Sequence, residues 1–98
     1  MFLVRNVFHA KPGKAKALVT IFKRAAPILE ESGLVKNTRI LTDSIGPFWT
    51  VVLENEVEDL NSYMNMAKNV SITKRYGQAM KGYIDLTKGG YREVFSIE

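Results

Sequence analysis

Three polar residues stand inside apolar runs where local structure alone does not call for them. They are Asn6 in FLVRNVF, Arg39 in NTRILT and Arg92 in YREVF. A polar group buried without a partner costs about 1–3 kcal/mol, so each of these needs one. Two guanidiniums and an amide brought together would hold an anionic or carbonyl-bearing molecule. Phe2, Phe8, Phe48 and Trp49 lie in the same runs and would supply apolar walls. His9, the only histidine, ends the first run, where a general base is one reading and a half-exposed surface histidine the commoner one. The candidate ligand-binding residues are therefore Asn6, His9, Arg39, Trp49 and Arg92. The competing reading is cross-strand or intersubunit pairing, for example Arg39 with Glu93.

No catalytic residue can be assigned. The chain has no cysteine, which excludes a disulfide framework, a thiolate metal site and a cysteine nucleophile. A single histidine leaves no histidine pair for a metal, and no metal or other cofactor is expected. Ser44, Ser71 and Ser96 have no nearby base and no nucleophile elbow. Gly46 and Gly89–Gly90 lack the spacing of a phosphate loop. Glu54, Glu56, Glu58 and Asp59 coincide with an expected helix start, where carboxylates are favoured in any case.

These residues must be positioned by two strand–helix–strand units. Phe2 to His9 is expected as the first strand, apolar on both faces. Pro12 suits a helix start. Leu18, Ile21, Phe22, Ala25 and Leu29 then form one helical stripe. Pro27 should kink that helix or unwind its last turns, and Ser32–Gly33 should end it. Leu34 to Thr42 and Phe48 to Leu53 read as the second and third strands around an Asp43–Pro47 turn. Asn55, with Glu58, reads as the cap of a second helix that buries Val57, Leu60, Tyr63, Met64 and Ala67. A break is expected at Lys68–Asn69–Val70. A stretch capped by Ser71 comes next, with Ile72, Tyr76, Met80 and Tyr83 on one face. Ile84 to Thr87 reads as extended, Lys88–Gly89–Gly90 as a turn, and Tyr91 to Ile97 as the last strand.

The order predicts a ferredoxin-like β-α-β-β-α-β sandwich of the α+β class, with an antiparallel four-stranded sheet and helices on one face. Ninety-eight residues make a single domain, 1–98. Helices cover only one face of a sheet, so the other apolar face needs a cover, and a second copy of the chain would supply it. The net charge is +4. The basic excess lies in residues 1–49, with 8 Lys and Arg against 3 Asp and Glu, chiefly Lys11, Lys14, Lys16, Lys23 and Arg24. A solvated helix face is the commoner reading of such a cluster, and an anion or nucleic-acid surface the rarer one. No run approaches the ~18 apolar residues of a membrane span, so no membrane partner is expected. The start of the chain lacks a signal-peptide shape and cysteine is absent, so a cytoplasmic location is expected.

The segments FLVRNVFHAKPGKAKAL, RILTDSIGPFWTVVLENEVEDL and MKGYIDLTKGGYREVFSIE resemble the dimeric α+β barrel superfamily, which includes antibiotic-biosynthesis-type monooxygenases and NIPSNAP-like proteins. The likeness spans nearly the whole chain and is nearest to small NIPSNAP-like proteins. It implies a homodimer whose sheets pack face to face, a pocket between sheet and helices for a small organic ligand, and, for any catalysis, cofactor-free oxidation. The heme-degrading members use a strand-one Asn, a strand-three Trp and a helix-two His. Asn6 matches the first, Glu54 stands at the second and no histidine occurs at the third, so heme degradation is not expected. FLVRNV and GPFWTVVLENEVEDL also look like parts of an RNA-recognition motif. The stacking positions there hold Leu3, Phe48 and Thr50, and two of the three needed aromatics are missing, so nucleic acid is not expected as a partner. The alternatives are a structural or regulatory homodimer without a ligand and, behind it, a single-stranded RNA-binding module, favoured only by the basic first half of the chain.

Overall fold

The computed structural model describes residues 1–68 and 70–98, with the side chains of 67, 70 and 71 left out. The elements in order are β1 (Phe2–Ala10), α1 (Ala15–Glu31), β2 (Lys36–Thr42), β3 (Thr50–Val57), α2 (Leu60–Met64), a 3₁₀ turn (Met66–Lys68), α3 (Val70–Ala79), α4 (Tyr83–Leu86) and β4 (Thr87–Ser96). The four strands form one antiparallel sheet in the order β2-β3-β1-β4. This is the expected ferredoxin-like α+β architecture.

The alternation of side chains along β1 sorts its residues by face. Val4, Phe8 and Ala10 meet the helices, where Phe22 of α1 lies 4.8 Å from Phe8 between ring centres. Leu18, Ile21, Phe22, Ala25 and Leu29, the stripe read from the sequence, are the buried residues of α1. Pro27 does not end that helix, which runs on to Glu31. Proline removes one backbone donor, and the packing of Ala25 and Leu29 on either side holds the turn together. The helix stops at Ser32 and at Gly33, whose φ of 76° is the left-handed C-terminal position that glycine takes without strain.

Several local expectations are corrected. Asn55 is not a cap. It lies within β3, is fully buried, and its Oδ1 accepts a hydrogen bond of 2.7 Å from Thr38 Oγ1. Val57 likewise ends the strand rather than starting a helix. Asp59 is the cap of α2: its Oδ1 accepts from the Ser62 amide at 3.0 Å and its Oδ2 from the Ser62 hydroxyl at 2.7 Å. The Ser62 hydroxyl and amide together hold the Asp59 carboxyl below its usual range. Phe48 and Trp49 precede β3, and Phe48 is exposed. Ile84 belongs to the helical turn α4, and Gly89–Gly90 belong to β4. Of the other expectations, the Ser71 cap and the burial of Ala67 rest on the side chains left out, and the Asn69 centre of the expected break lies outside the described residues.

Candidate functional site

The register brings Asn6 of β1 opposite Arg92 of β4 on the helix-covered face. Arg92 Nε donates to Asn6 Oδ1 at 2.6 Å across 86 residues of sequence. The Arg92 guanidinium also stands 5.9 Å from the centre of the Tyr63 ring, with Met64 Sδ 3.9 Å from Nη1. Here the sheet and the segment from α3 to α4 diverge. Between them lies a cavity of about 1110 Å³, open on one side, whose lining includes Asn6, Phe8, Tyr63, Tyr76, Tyr83 and Arg92.

The local sequence explains why space remains. Gly77, Gly82, Gly89 and Gly90 supply no side chains to fill it. Tyr76 of α3 and Tyr83 of α4 project from short elements that pack mainly on α1 and β4. Arg24 of α1 secures the end of α3, donating from Nε at 3.0 Å and from Nη2 at 2.7 Å to the Ala79 carbonyl. One turn earlier in α3, Arg75 Nη2 donates to Glu31 Oε2 at 2.9 Å.

Burial, with the neighbouring Tyr63 and Tyr83 phenols adding to it, pushes the Tyr76 hydroxyl up to about 12. It therefore stays protonated at neutral pH and serves as a hydrogen-bond donor inside an aromatic wall. Arg92, Asn6 and this phenol are among the polar groups at the cavity, with Thr73, Lys81, Asp85 and Thr87 also in its lining. They can bind and orient an oxygen-bearing molecule. Among the described residues no group of three His, Cys, Asp or Glu side chains is placed to hold a metal ion.

The other three candidates from the sequence sit elsewhere. Arg39 lies on the opposite face of the sheet, where it pairs with Glu54, not Glu93. Arg5 joins the same network, 3.0 Å from Glu54 and 3.1 Å from Glu93. Parity decides this: Arg39 aligns with Glu54, and Glu54 with Arg5. His9 reaches the beginning of β4, its ring 6.0 Å from that of Tyr91. Trp49 sits in the β2–β3 loop with φ 63°. Tyr63, Tyr76 and Tyr83 were not among the sequence candidates. Their helical spacing marked them as core, and only the packing of α3 away from the sheet turns them into a cavity wall.

No protein-family model matches this chain, and no curated protein matches it. Solved structures do. A NIPSNAP domain protein from Burkholderia xenovorans superposes with a TM-score of 0.80 at 11% identity, covering 100% of this chain and 95% of that one. A NIPSNAP family protein from Agrobacterium tumefaciens gives 0.75 at 14% identity, covering 97% and 90%. An antibiotic biosynthesis monooxygenase gives 0.77 at 12% identity, covering 100% and 99%. At these identities the likeness is one of fold, and it agrees with the resemblance read from the sequence.

Proposed function

We propose that this chain, which has the fold of those NIPSNAP and antibiotic biosynthesis monooxygenase structures, binds a small, partly apolar molecule in the cavity between its sheet and α3–α4. The observation that carries this is the Arg92–Asn6 pair standing at a cavity walled by Phe8, Tyr63, Tyr76 and Tyr83. Arg92 spends Nε on Asn6 and keeps Nη donors for an acidic or carbonyl oxygen. The aromatic rings suit a flat apolar body. The natural probe set is a panel of aromatic carboxylates and quinones, followed by the quenching of tyrosine emission or by calorimetry. Arg92→Ala is expected to weaken binding of an aromatic carboxylate about tenfold or more with the fold unchanged, because a charged hydrogen bond contributes roughly 1.5–3 kcal/mol. Equal binding by wild type and Arg92→Ala, or no binding by any member of the panel, would sink the reading. A cytoplasmic location fits a chain without cysteine.

A second reading concerns the other face of the sheet, and it is compatible with the first. Leu41, Tyr91 and Phe95 are exposed there around the buried Glu54 and its two arginines. An apolar rim about a neutralised ionic centre suits a second copy packed sheet to sheet. Light scattering across a dilution series is expected to give about twice the 11.1 kDa chain mass. A chain mass at every concentration would refute the homodimer and leave the cavity proposal standing.

A further inference from the structure

The β2–β3 loop carries an apolar tip that the described residues leave largely uncovered. Ile45 is fully exposed, Phe48 is 83% exposed and Trp49 40% exposed, with Pro47 exposed beside them. The loop is nonetheless fastened from several sides. The Thr50 amide donates to Asp43 Oδ1 at 2.9 Å, the Thr50 hydroxyl to the Pro47 carbonyl at 2.9 Å, and the Ala10 amide to the Trp49 carbonyl at 2.8 Å. Trp49 holds a left-handed φ of 63°, which a bulky residue rarely adopts. That backbone turn directs Phe48 and Trp49 outward instead of extending β3 to include them. The exposure is thus built into the loop.

The surroundings of the tip are basic. Lys11 directly succeeds Ala10, and its amide donates to the Leu86 carbonyl at 2.8 Å. The tip, the Lys11–Lys14 turn and the end of α4 therefore meet at one end of the sheet. Lys11 and Lys14, expected on the first helix, fall on the turn before it, and Lys16 lies in the first turn of α1. These lysines and Lys88, near the start of β4, are exposed. Only Asp43, already engaged by Thr50, and exposed Asp85 oppose them among the described residues nearby.

We propose that this end of the molecule docks on an anionic lipid surface, with Ile45 and Phe48 entering the headgroup layer, Trp49 lying at that level and the four lysines meeting the lipid charge. Tryptophan and lysine around a short apolar wedge are the chemistry of the membrane–water boundary. A second copy of the chain is a poorer occupant, because two such tips brought together would oppose lysine to lysine. A narrow projecting loop is also unlike the broad patch a stable protein interface buries. The expectation of no membrane partner rested on the absence of a span, and no helix among the described residues is long and apolar enough to cross a membrane. Surface docking needs no span.

Trp49 is the only tryptophan, so its emission reports the tip alone. The full chain would be mixed with phosphatidylcholine vesicles, with and without phosphatidylglycerol, and monitored by Trp49 emission and by flotation. The expected result is a blue shift and co-flotation with the anionic vesicles, weakened by added salt. Phe48→Ser is expected to lower the partition coefficient about tenfold or more, from the apolar area withdrawn from the lipid. Lys11→Glu together with Lys14→Glu is expected to remove most of the preference for anionic vesicles. Both variants alter exposed side chains and should keep the wild-type circular dichroism. No blue shift with anionic vesicles, or equal partition of Phe48→Ser, overturns the proposal. So does a fall in solution mass in Phe48→Ser with no vesicle binding by wild type, which would assign the tip to contact between copies.

Discussion

Phe22→Ala is expected to lower the stability of this chain by about 3–5 kcal/mol. Phe22 is fully buried at the centre of α1, against Phe8 of β1 on one side and within the cluster of Leu18, Ile21, Ala25, Val51 and Leu53. Truncation to the methyl group withdraws most of that apolar surface and leaves a void that the sheet, held by its backbone ladder, cannot close. For a domain of this length the melting temperature should fall by roughly 15–25 °C. Urea denaturation checks it: the midpoint should drop while the slope stays unchanged. Phe22→Leu keeps most of the volume and should cost less than half as much. A loss below about 1 kcal/mol for Phe22→Ala would show that the interior repacks freely, contrary to the tight packing of this cluster.

The second large effect is expected at Gly90. A Cβ added there would overlap the Val7 carbonyl oxygen of the neighbouring strand and lie 3.2 Å from Phe8 Cα. Both obstacles are backbone and cannot rotate away. Gly90→Ala must therefore push β4 from β1 just where the register already shifts between His9 and Ala10. The expected cost is about 2–4 kcal/mol. Gly77→Ala is the matched control. It sits inside α3 with open space around the added carbon, and it should stabilise by about 0.5–1 kcal/mol through helix propensity. The two variants should thus move the urea midpoint in opposite directions. Equal effects would contradict the close approach of the strands.

The contrast between these sites shows what the sequence makes legible. The stripe containing Phe22 is fully readable, because helical spacing and burial are the same fact seen twice. Strand order comes from the same reasoning, since few topologies accommodate two strand–helix–strand units. Asn55 shows where such reading fails. An Asn three residues before a Glu has the look of a helix cap, and only the pairing of β3 with β1 and β2 reveals it as a buried strand residue. At Trp49 one left-handed dihedral angle, without a glycine to signal it, removes two residues from the expected strand. Of the site, Asn6 and Arg92 were visible as misplaced polar residues, but their partnership depends on register over 86 residues. Arg39 looked equivalent to them. A one-residue parity, which sequence alternation alone leaves open, puts it on the far side of the sheet.

The two walls of the cavity are built differently. One is the sheet, tied strand to strand by its ladder. The other, α3, leans chiefly on α1 and is fastened to it by the Arg24 contacts and the Arg75–Glu31 pair. Any mismatch between cavity and guest must then be absorbed by the helical wall, since moving the sheet would break many backbone hydrogen bonds at once. In the binding proposed above, guests of different thickness would be accommodated while the Arg92–Asn6 end keeps its position. Selectivity in such an arrangement is strict about where the guest's oxygen sits and lenient about the width of the apolar body that carries it.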